Sequence, residues 1–357
     1  MPNHLVRCAF AGLLAAGLAA QDDLAARLRV LIEKTKTVSG SSALGLLESA
    51  LRELPDPPDA ETPRSLVDWY WHVSNAAEWA GSKAQGETRK QLLAVAARGW
   101  RSYIAFYATQ PVEDNENDRQ NIQAARRRLI ARLDLDGKYP EAIAVQDAVV
   151  RLLRVTAGPD GRETLHEEIN LALFQNRNHQ HADAQRTTRA ALERIEKRFA
   201  GSPLHARART QLASTINDRG WYWDDEVLEL QRDAVAIYEA ILARPPSEDT
   251  AQLQRHAASE LATTRWELAQ TYLNRGDYSK ARRLAQRSYD ALIADRGKDS
   301  EDTSWARGIL AHALHSLGDL SESLRLYKTN LRLRIKQRGD DHPFTSLVRT
   351  NVGAVLL

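Results

Sequence analysis

A dipeptide of two apolar residues, the second usually small, recurs along this chain at a nearly constant interval. This recurrence limits the fold more than any other feature. The steps between successive dipeptides are 42, 41, 56, 42 and 42 residues. A repeat of this length holds two helices and their connections, and such units stack side by side. The sequence therefore predicts an all-α protein of antiparallel helix pairs, with roughly fifteen helices. The dipeptides are Leu129-Ile130, Leu171-Ala172, Leu212-Ala213, Leu268-Ala269, Leu310-Ala311 and Val352-Gly353.

Five of the units also carry a turn residue at a fixed distance from the dipeptide, and four of these carry a small residue as well. The turn residue comes eight positions after the first residue of the dipeptide. A glycine there supplies the positive φ of a sharp helix exit. The small residue follows five positions later and lets two antiparallel helices approach closely. The turn residues are Gly137, His179, Gly220, Gly276 and Gly318, and the small residues are Ala142, Ala184, Ala281 and Ser323.

The 56-residue step places fourteen extra residues between Gly220 and Gly276. Apolar residues keep a helical spacing from Val227 to Ile241. We therefore expect the stretch from Trp221 to Thr250 to lengthen the second helix of its pair and the loop that follows.

One unit resembles the tetratricopeptide repeat (TPR). Leu268-Ala269-Gln270-Thr271-Tyr272, Gly276-Asp277-Tyr278 and Ala281 match its pattern of Leu, small residue, Tyr and a later Ala. The 42-residue spacing and the loop 338–343 resemble the longer repeats of the kinesin light chain and nephrocystin type. The resemblance covers the chain from about Asp118 to its end. It implies a right-handed α-solenoid (superhelix) with first helices lining the concave surface, and it is specific for fold, not for function.

Composition and motifs argue against several functional classes. The chain has 357 residues, 43% hydrophobic and 27% charged, which is typical of a folded globular or solenoid protein. Its net charge of +2 is too small to imply a nucleic-acid partner. No Gly-rich phosphate loop, Gly-x-Ser-x-Gly elbow or His-Glu-x-x-His motif occurs. We therefore expect a protein that is not an enzyme, uses no cofactor or metal and does not bind nucleic acid.

The first twenty residues have the order of a secretory signal. Arg7 precedes a short apolar run, and small residues come before Gln21. The run is too short to span a bilayer. We expect an exported protein, periplasmic or secreted, with an apolar first helix in a cytoplasmic protein as the alternative. Cys8 is the only cysteine, so cleavage would leave no disulfide or thiol.

The predicted organisation has four parts. They are a probable signal peptide (1–20), an N-terminal helical pair (21–62), a degenerate helical repeat (63–117) and a TPR-like array ending in an unpaired helix (118–357). The proline-rich stretch 54–59 marks the clearest boundary, because proline cannot continue a helix interior. At the other end, Val355, Leu356 and Leu357 are predicted to leave an apolar edge, either for self-association or for continuation into a longer array.

Two aromatic clusters allow structural and functional interpretations. Trp69 lies on the predicted apolar stripe of its helix, so core packing explains it and its neighbours better than a sugar or peptide platform does. For Trp221-Tyr222-Trp223 both interpretations stay open.

The favoured function is a non-enzymatic scaffold or adaptor that binds a protein or peptide in the concave groove. Two alternatives are an intracellular regulatory module of a signalling system and an enzyme with a site in the insert after Gly220. Asn and Gln side chains can pair with any extended backbone, while Arg and His add selectivity for acidic partners. Trp305 and Asn351 flank the same surface. The predicted groove residues are Arg128, Asn170, Asn176, Arg177, Gln211, Asn217, Trp266, Gln270, Asn274, His312 and His315.

Overall fold

The computed structural model describes residues 23–38, 40–55, 58, 62, 64–109, 116–218, 224–245, 248–340 and 343–356. Within these ranges the chain forms fifteen helices and no strand, which confirms the all-α prediction. The predicted signal segment, Gly220 and Trp221-Tyr222-Trp223 lie outside the described residues. The helices are α1 (residues 23–35), α2 (Gly40–Arg52), α3 (Arg64–Lys83), α4 (Gly86–Thr109), α5 (Glu116–Leu135), α6 (Tyr139–Thr156), α7 (Arg162–Arg177), α8 (His181–Phe199), α9 (Pro203–Asn217), α10 (Asp225–Leu242), α11 (Glu248–Asn274), α12 (Tyr278–Arg296), α13 (Glu301–Ser316), α14 (Leu320–Arg338) and α15 (Pro343–Leu356).

The chain divides into two compact units, and the boundary between Val149 and Val150 falls within α6. In the first unit, α3 packs against α2 and α4, and α4 packs against α5. In the second unit, each helix from α7 to α15 packs against the next, and first helices also touch, as α7 does with α9 and α11 with α13. This stacking of helix pairs confirms the predicted α-solenoid. The predicted boundaries at 62/63 and 117/118 stay predictions.

The turns between paired helices have the predicted backbone geometry. Gly137, Gly276 and Gly318 have φ of 66°, 79° and 85°. His179 stands at the same place with φ of 59°, and it is the only described residue other than glycine with a positive φ. The amide after each turn residue donates to the carbonyl five positions back, as Gln180 does to Gln175 at 2.8 Å. These helix ends therefore repeat one Schellman-type capping motif.

The recurring small residues lie where the paired helices touch. Ala142, Ala184, Ala281 and Ser323 are each fully buried. The hydroxyl of Ser323 also donates to the carbonyl of Ala311 on the partner helix, at 2.7 Å. The predicted role of these residues in close helix approach is confirmed.

The prediction for the insert is correct in secondary structure but wrong about which helix is lengthened. The stretch is helical where described, yet the second helix α10 has 18 residues, no more than the 19 of α12. The extra length lies mainly in the next first helix, α11, which has 27 residues against 16 in α13. The pattern from Val227 to Ile241 therefore marks a second helix of ordinary length, and the lengthened helix begins after Arg244-Pro245.

Leu66, Val73, Ala77 and Ala80 of the predicted apolar stripe of α3 are buried, whereas Trp69 is not. Tyr70 is 1% exposed, whereas Trp69 is only partly buried. Trp71 packs edge-on against Trp100 with ring centroids 5.0 Å apart. Trp79 is 40% exposed. Because α3 packs against both α2 and α4, its buried face is wider than a single stripe and centres on Tyr70.

The final helix covers more of its apolar surface than predicted. Val355 is 7% exposed and packs in a cluster with Leu326 and Tyr327 of α14, so its predicted exposure is wrong. Leu356 is 64% exposed, and Leu357 lies outside the described residues. Self-association through this edge stays a prediction.

Candidate binding pocket

A charged residue recurs three positions before most of the dipeptides and ties the first helices to their neighbours. Glu168 of α7 is 1% exposed and pairs with Arg154 and Arg194, on the second helices to either side. The position is then filled by arginine: Arg209 pairs with Glu196 and Asp233, Arg265 with Glu239, and Arg307 bonds Tyr289 and Asn330. This position was not predicted from the sequence, although its spacing follows the repeat.

The second unit contains a cavity of about 280 Å³ bordered by α13, α14, α15 and the end of α11. Its buried floor and its more accessible rim differ in chemistry. The floor residues, each less than 9% exposed, are Ser304, Ile309, Tyr327, Asn330 and Arg334. The rim residues are Gln270, Trp305, Gly308, His312, Leu347, Val348 and Asn351.

Helical spacing brings these residues to one place. On α13 the side chains recur at three or four positions from Trp305 to His312, and on α14 from Tyr327 to Arg334. Gly308 belongs to α13, and a Cβ atom there would lie 3.4 Å from Nδ2 of Asn330 on α14. The missing side chain therefore helps to leave the cavity open.

Most polar side chains of the floor have hydrogen-bond or ion-pair partners within the protein. Nη1 of Arg307 donates to Oδ1 of Asn330 at 2.8 Å, and Nδ2 of Asn330 donates to the carbonyl of Ser304 at 2.8 Å. The guanidinium of Arg334 lies 3.3 Å from Glu301 and 5.4 Å from the ring centroid of Trp305. The hydroxyl of Ser304, a residue 1% exposed, has no hydrogen-bond partner among the described residues.

The rim offers neutral hydrogen-bonding groups beside aromatic surface. Partial desolvation, together with nearby His315, lowers the pKa of His312, so its imidazole is neutral at pH 7. Nε2 of Gln270 donates to Oδ1 of Asn274 at 2.7 Å, and its carbonyl oxygen is a hydrogen-bond acceptor. The rings of Trp266 and Trp305 stack with centroids 6.2 Å apart.

A group of carboxylates lies next to the pocket on the first helices. Burial raises the pKa of Glu267 to about 8, and the nearby charges of Glu260, Asp218 and Asp302 raise it further in the same direction. Glu267 is therefore mostly protonated at pH 7. It occupies the repeat position that Ile309 holds in the pocket floor.

The predicted groove residue Asn170 of α7 is engaged by a side chain of α9 that the sequence did not single out. Arg207 donates from Nη1 to Nε2 of His166 and from Nη2 to Oδ1 of Asn170, both at 2.6 Å. Asn170 in turn donates to Glu167 at 2.7 Å. We call this set, His166, Glu167, Asn170 and Arg207, the closed network.

Other predicted groove residues also have internal partners. Asn176 is 5% exposed, donates to Asp218 at 2.5 Å and accepts from Nδ1 of His181 at 2.7 Å. Gln211 donates to Thr215 at 3.3 Å. Arg177 is exposed, and Oδ1 of Asn217 is buried with no hydrogen-bond partner among the described residues.

Arg128 belongs to the first unit and is engaged with α3. Its guanidinium hydrogen-bonds Asn75 and Glu78 and lies 5.7 Å and 5.5 Å from the ring centroids of Trp71 and Trp100. This side chain therefore fastens α5 to an aromatic surface of α3 and α4.

Of the predicted groove residues, the structure brings Gln270 and His312 to the pocket, together with Trp305 and Asn351. His315 and Trp266 lie beside it and do not line it. Sequence reasoning missed the contribution of α14, because it considered first helices alone. The spacing of Tyr327, Asn330 and Arg334 on one face of α14 was the available signal.

Among the described residues, no group of three or more His, Cys, Asp or Glu side chains could hold a metal ion. Within the same ranges, none of the helices has the length and hydropathy needed to cross a bilayer.

The tetratricopeptide repeat family profile matches residues 260–329, which confirms the resemblance drawn from residues 268–281. No curated protein matches the chain. Among solved structures, the chain is similar to TPR-like repeats of a Podosopora anserina kinesin light chain (20% identity, TM-score 0.43, 60% of this chain and 96% of that one). It is also similar to BtubC (BKLC) from P. vanneervenii (19%, 0.48, 61% and 82%) and to the quorum sensor NprR from B. thuringiensis (13%, 0.45, 96% and 81%).

Proposed function

We propose that this chain is a non-enzymatic scaffold or adaptor that binds an extended segment of a protein or peptide, with the α13–α15 pocket as its anchor. The observation that carries the proposal is the cavity of about 280 Å³, with aromatic and aliphatic walls and a neutral polar rim. Pockets for drug-sized molecules usually measure about 300–1,000 Å³. This cavity is smaller, and its size suits one large side chain of a partner.

The rim supports a polypeptide partner. Gln270, His312 and Asn351 stand on three successive first helices, and each carries neutral hydrogen-bonding groups. An extended backbone presents donors and acceptors along its length and can pair with such groups whatever its sequence. The partner segment would therefore cross α11, α13 and α15 and place one side chain in the pocket.

We also propose that the protein is exported, because residues 1–20 have the order of a secretory signal. The test is the N-terminus of the protein isolated from its native cells. Export predicts a first residue near Gln21, whereas an intact Met1 end on the cell-associated protein would support the cytoplasmic alternative.

The binding proposal is tested with a matched pair of glycine variants of the full chain. Gly308→Leu places a side chain in the cavity, because Gly308 lines it. Gly353→Leu makes the same change on α15, where a Cβ atom would have nothing within 4 Å and the residue does not line the pocket. Peptides are selected from a random displayed library against the unmodified chain.

Selected peptides should bind the Gly353→Leu variant as they bind the unmodified chain. They should lose at least about tenfold in Kd with Gly308→Leu, which corresponds to about 1.4 kcal/mol. Peptides that bind both variants equally, with both variants folded by circular dichroism, would overturn the proposal.

A further inference from the structure

Resting on the proposed function, we infer that the pocket selects a tyrosine of the partner segment. The ring packs between Trp305 and Tyr327, and its hydroxyl hydrogen-bonds the hydroxyl of Ser304. Nothing in the fold class itself specifies this residue. The choice follows from the chemistry of the floor and walls, taken one group at a time.

The unpaired hydroxyl of Ser304 defines the tip of the ligand. Among the described residues of the second unit, three serines are buried, and two of them donate to backbone carbonyls: Ser288 to Ala262 at 2.6 Å and Ser323 to Ala311 at 2.7 Å. Ser304 is 1% exposed and its hydroxyl has no partner among the described residues. A hydroxyl both donates and accepts, so a ligand hydroxyl satisfies it in either direction.

The walls define the body of the ligand. Trp305 and Tyr327 contribute aromatic surface, and Ile309, Leu347 and Val348 contribute aliphatic surface. Aromatic rings pack well against other rings in offset or edge-on arrangements. An apolar ring with a polar tip is the combination found in tyrosine.

The charges around the floor exclude other anchors. A carboxylate would have to displace the partners that the nearby arginines already have, Glu301 at 3.3 Å from Arg334 and Asn330 at 2.8 Å from Arg307. An ammonium or guanidinium group would face the buried cations Arg307 and Arg334. A phenylalanine would fit the walls but would bury the Ser304 hydroxyl without a partner, which is unfavourable. A neutral ring with a hydroxyl meets none of these objections.

Side-chain fragments test the inference without a known partner. The probes are p-cresol for tyrosine, toluene for phenylalanine and p-toluate for a ring with an acidic tip. Their Kd values for the full chain are measured by ligand-observed NMR. The proteins compared are the unmodified chain and its Ser304→Ala, Gly308→Leu and Gly353→Leu variants.

We expect p-cresol to bind the unmodified chain at least about fivefold more tightly than toluene, because only p-cresol satisfies the buried hydroxyl. Ser304→Ala should abolish this preference while toluene keeps or gains affinity. Gly308→Leu should abolish binding of both probes, and Gly353→Leu should leave both unchanged. The melting temperature of each variant shows whether it is folded. A Tyr→Phe substitution in pocket-dependent display peptides should give the same fivefold loss.

The outcomes separate this inference from the proposed function. Equal binding of p-cresol and toluene, both lost with Gly308→Leu, would overturn the tyrosine anchor and leave the pocket as a peptide site. Tighter binding of p-toluate, or a preference for p-cresol that survives Ser304→Ala, would also overturn it. If Ser304→Ala does not fold, the Tyr→Phe peptide comparison on the unmodified chain decides. Display peptides that bind the Gly308→Leu variant as tightly as the unmodified chain would overturn the proposed function itself.

Discussion

Two pairs of neighbouring first helices, α7 with α9 and α13 with α15, present equivalent repeat positions with opposite results. His166 and Arg207 stand where Trp305 and Leu347 stand three repeats further on. In the first pair, Arg207 donates to His166 and to Asn170, and the closed network joins the helices. In the second pair, Trp305 and Leu347 border the cavity.

The difference shows that a repeated backbone does not repeat a binding surface. A long cation such as Arg207 can reach across to the next helix and satisfy the polar groups of its neighbour. Trp305 and Leu347 carry apolar surface, and Gly308, which also lines the cavity, adds no side chain. The cavity therefore stays open. This difference is why we propose binding at α13–α15 and a structural role at α7–α9.

The largest expected effect is on the anchoring of α7. Glu168→Ala removes the one carboxylate that Arg154 and Arg194 share and leaves Arg194, a quarter exposed, without that partner. Both arginines keep access to water, so the loss is that of hydrogen bonds to a charged group and should be about 1.5–3 kcal/mol. Urea unfolding should show this loss, whereas the control Glu193→Ala on the exposed face of α8 should cost under about 0.5 kcal/mol. Equal stability of the two variants would refute the anchoring role.

The next prediction concerns how stability depends on pH through Glu267 and its neighbouring carboxylates. The folded pKa of Glu267, about 8, lies above its ordinary value of 4.5. The folded state therefore holds this proton more tightly, and the stability that the proton provides is lost as pH rises from about 4.5 to 8. Charges on Glu260 of α11, Asp218 after α9 and Asp302 of α13 add to this loss.

Glu267→Gln removes the titration, so its advantage over the unmodified chain should grow with pH. We expect a gain in Tm of several degrees at pH 8.5 and little at pH 5, since about 2–4 °C corresponds to 1 kcal/mol for a unit of this size. Parallel Tm curves for the two proteins between these pH values would contradict the account.

A third prediction compares the position just before the dipeptide in the closed network with the same position at the pocket. Asn170→Ala removes hydrogen bonds to Arg207 and Glu167 and should cost about 1–2 kcal/mol. Asn351→Ala, on the rim of the pocket, should cost under about 0.5 kcal/mol. Chemical denaturation measures both, and a larger loss for Asn351 would reverse the comparison.

The smallest effect is expected at the turn that closes α7. His179 has φ of 59°, where its three counterparts are glycine. The left-handed conformation costs a residue with a Cβ atom about 1 kcal/mol, so His179→Gly should stabilise the chain by up to that amount. Gly276→Ala should produce a loss of similar size at the equivalent turn. A neutral result for both variants would show that these turns relax.

Much of the fold could be predicted from periodicity. The spacing of Leu171, Leu212 and Leu268, with the turn residues after them, located the helix pairs because each unit must bury the same face. The insert was misplaced because apolar spacing in α10 does not reveal that α11 starts two turns or more earlier than its counterparts. The buried face of α3 extends to Tyr70, outside the predicted stripe, because two neighbours, not one, pack against the helix.

The site was less accessible from the sequence. Gln270 and His312 were found because polar residues at groove positions are visible in the repeat pattern. Asn170 and Asn176 have the same pattern but are engaged by Arg207, Asp218 and His181, and such pairings depend on side-chain reach across helices. The floor residues of α14 were missed because a second helix was assumed to lie away from the groove.

The central claim is that partner binding occurs at α13–α15 and not at the closed network. Hydrogen–deuterium exchange of the full chain, with and without a display-selected peptide, tests it most directly. The account predicts slower exchange in α13, α15 and the end of α11, with no change in α7 and α9, and loss of this protection in Gly308→Leu. Protection confined to α7 and α9 would contradict it.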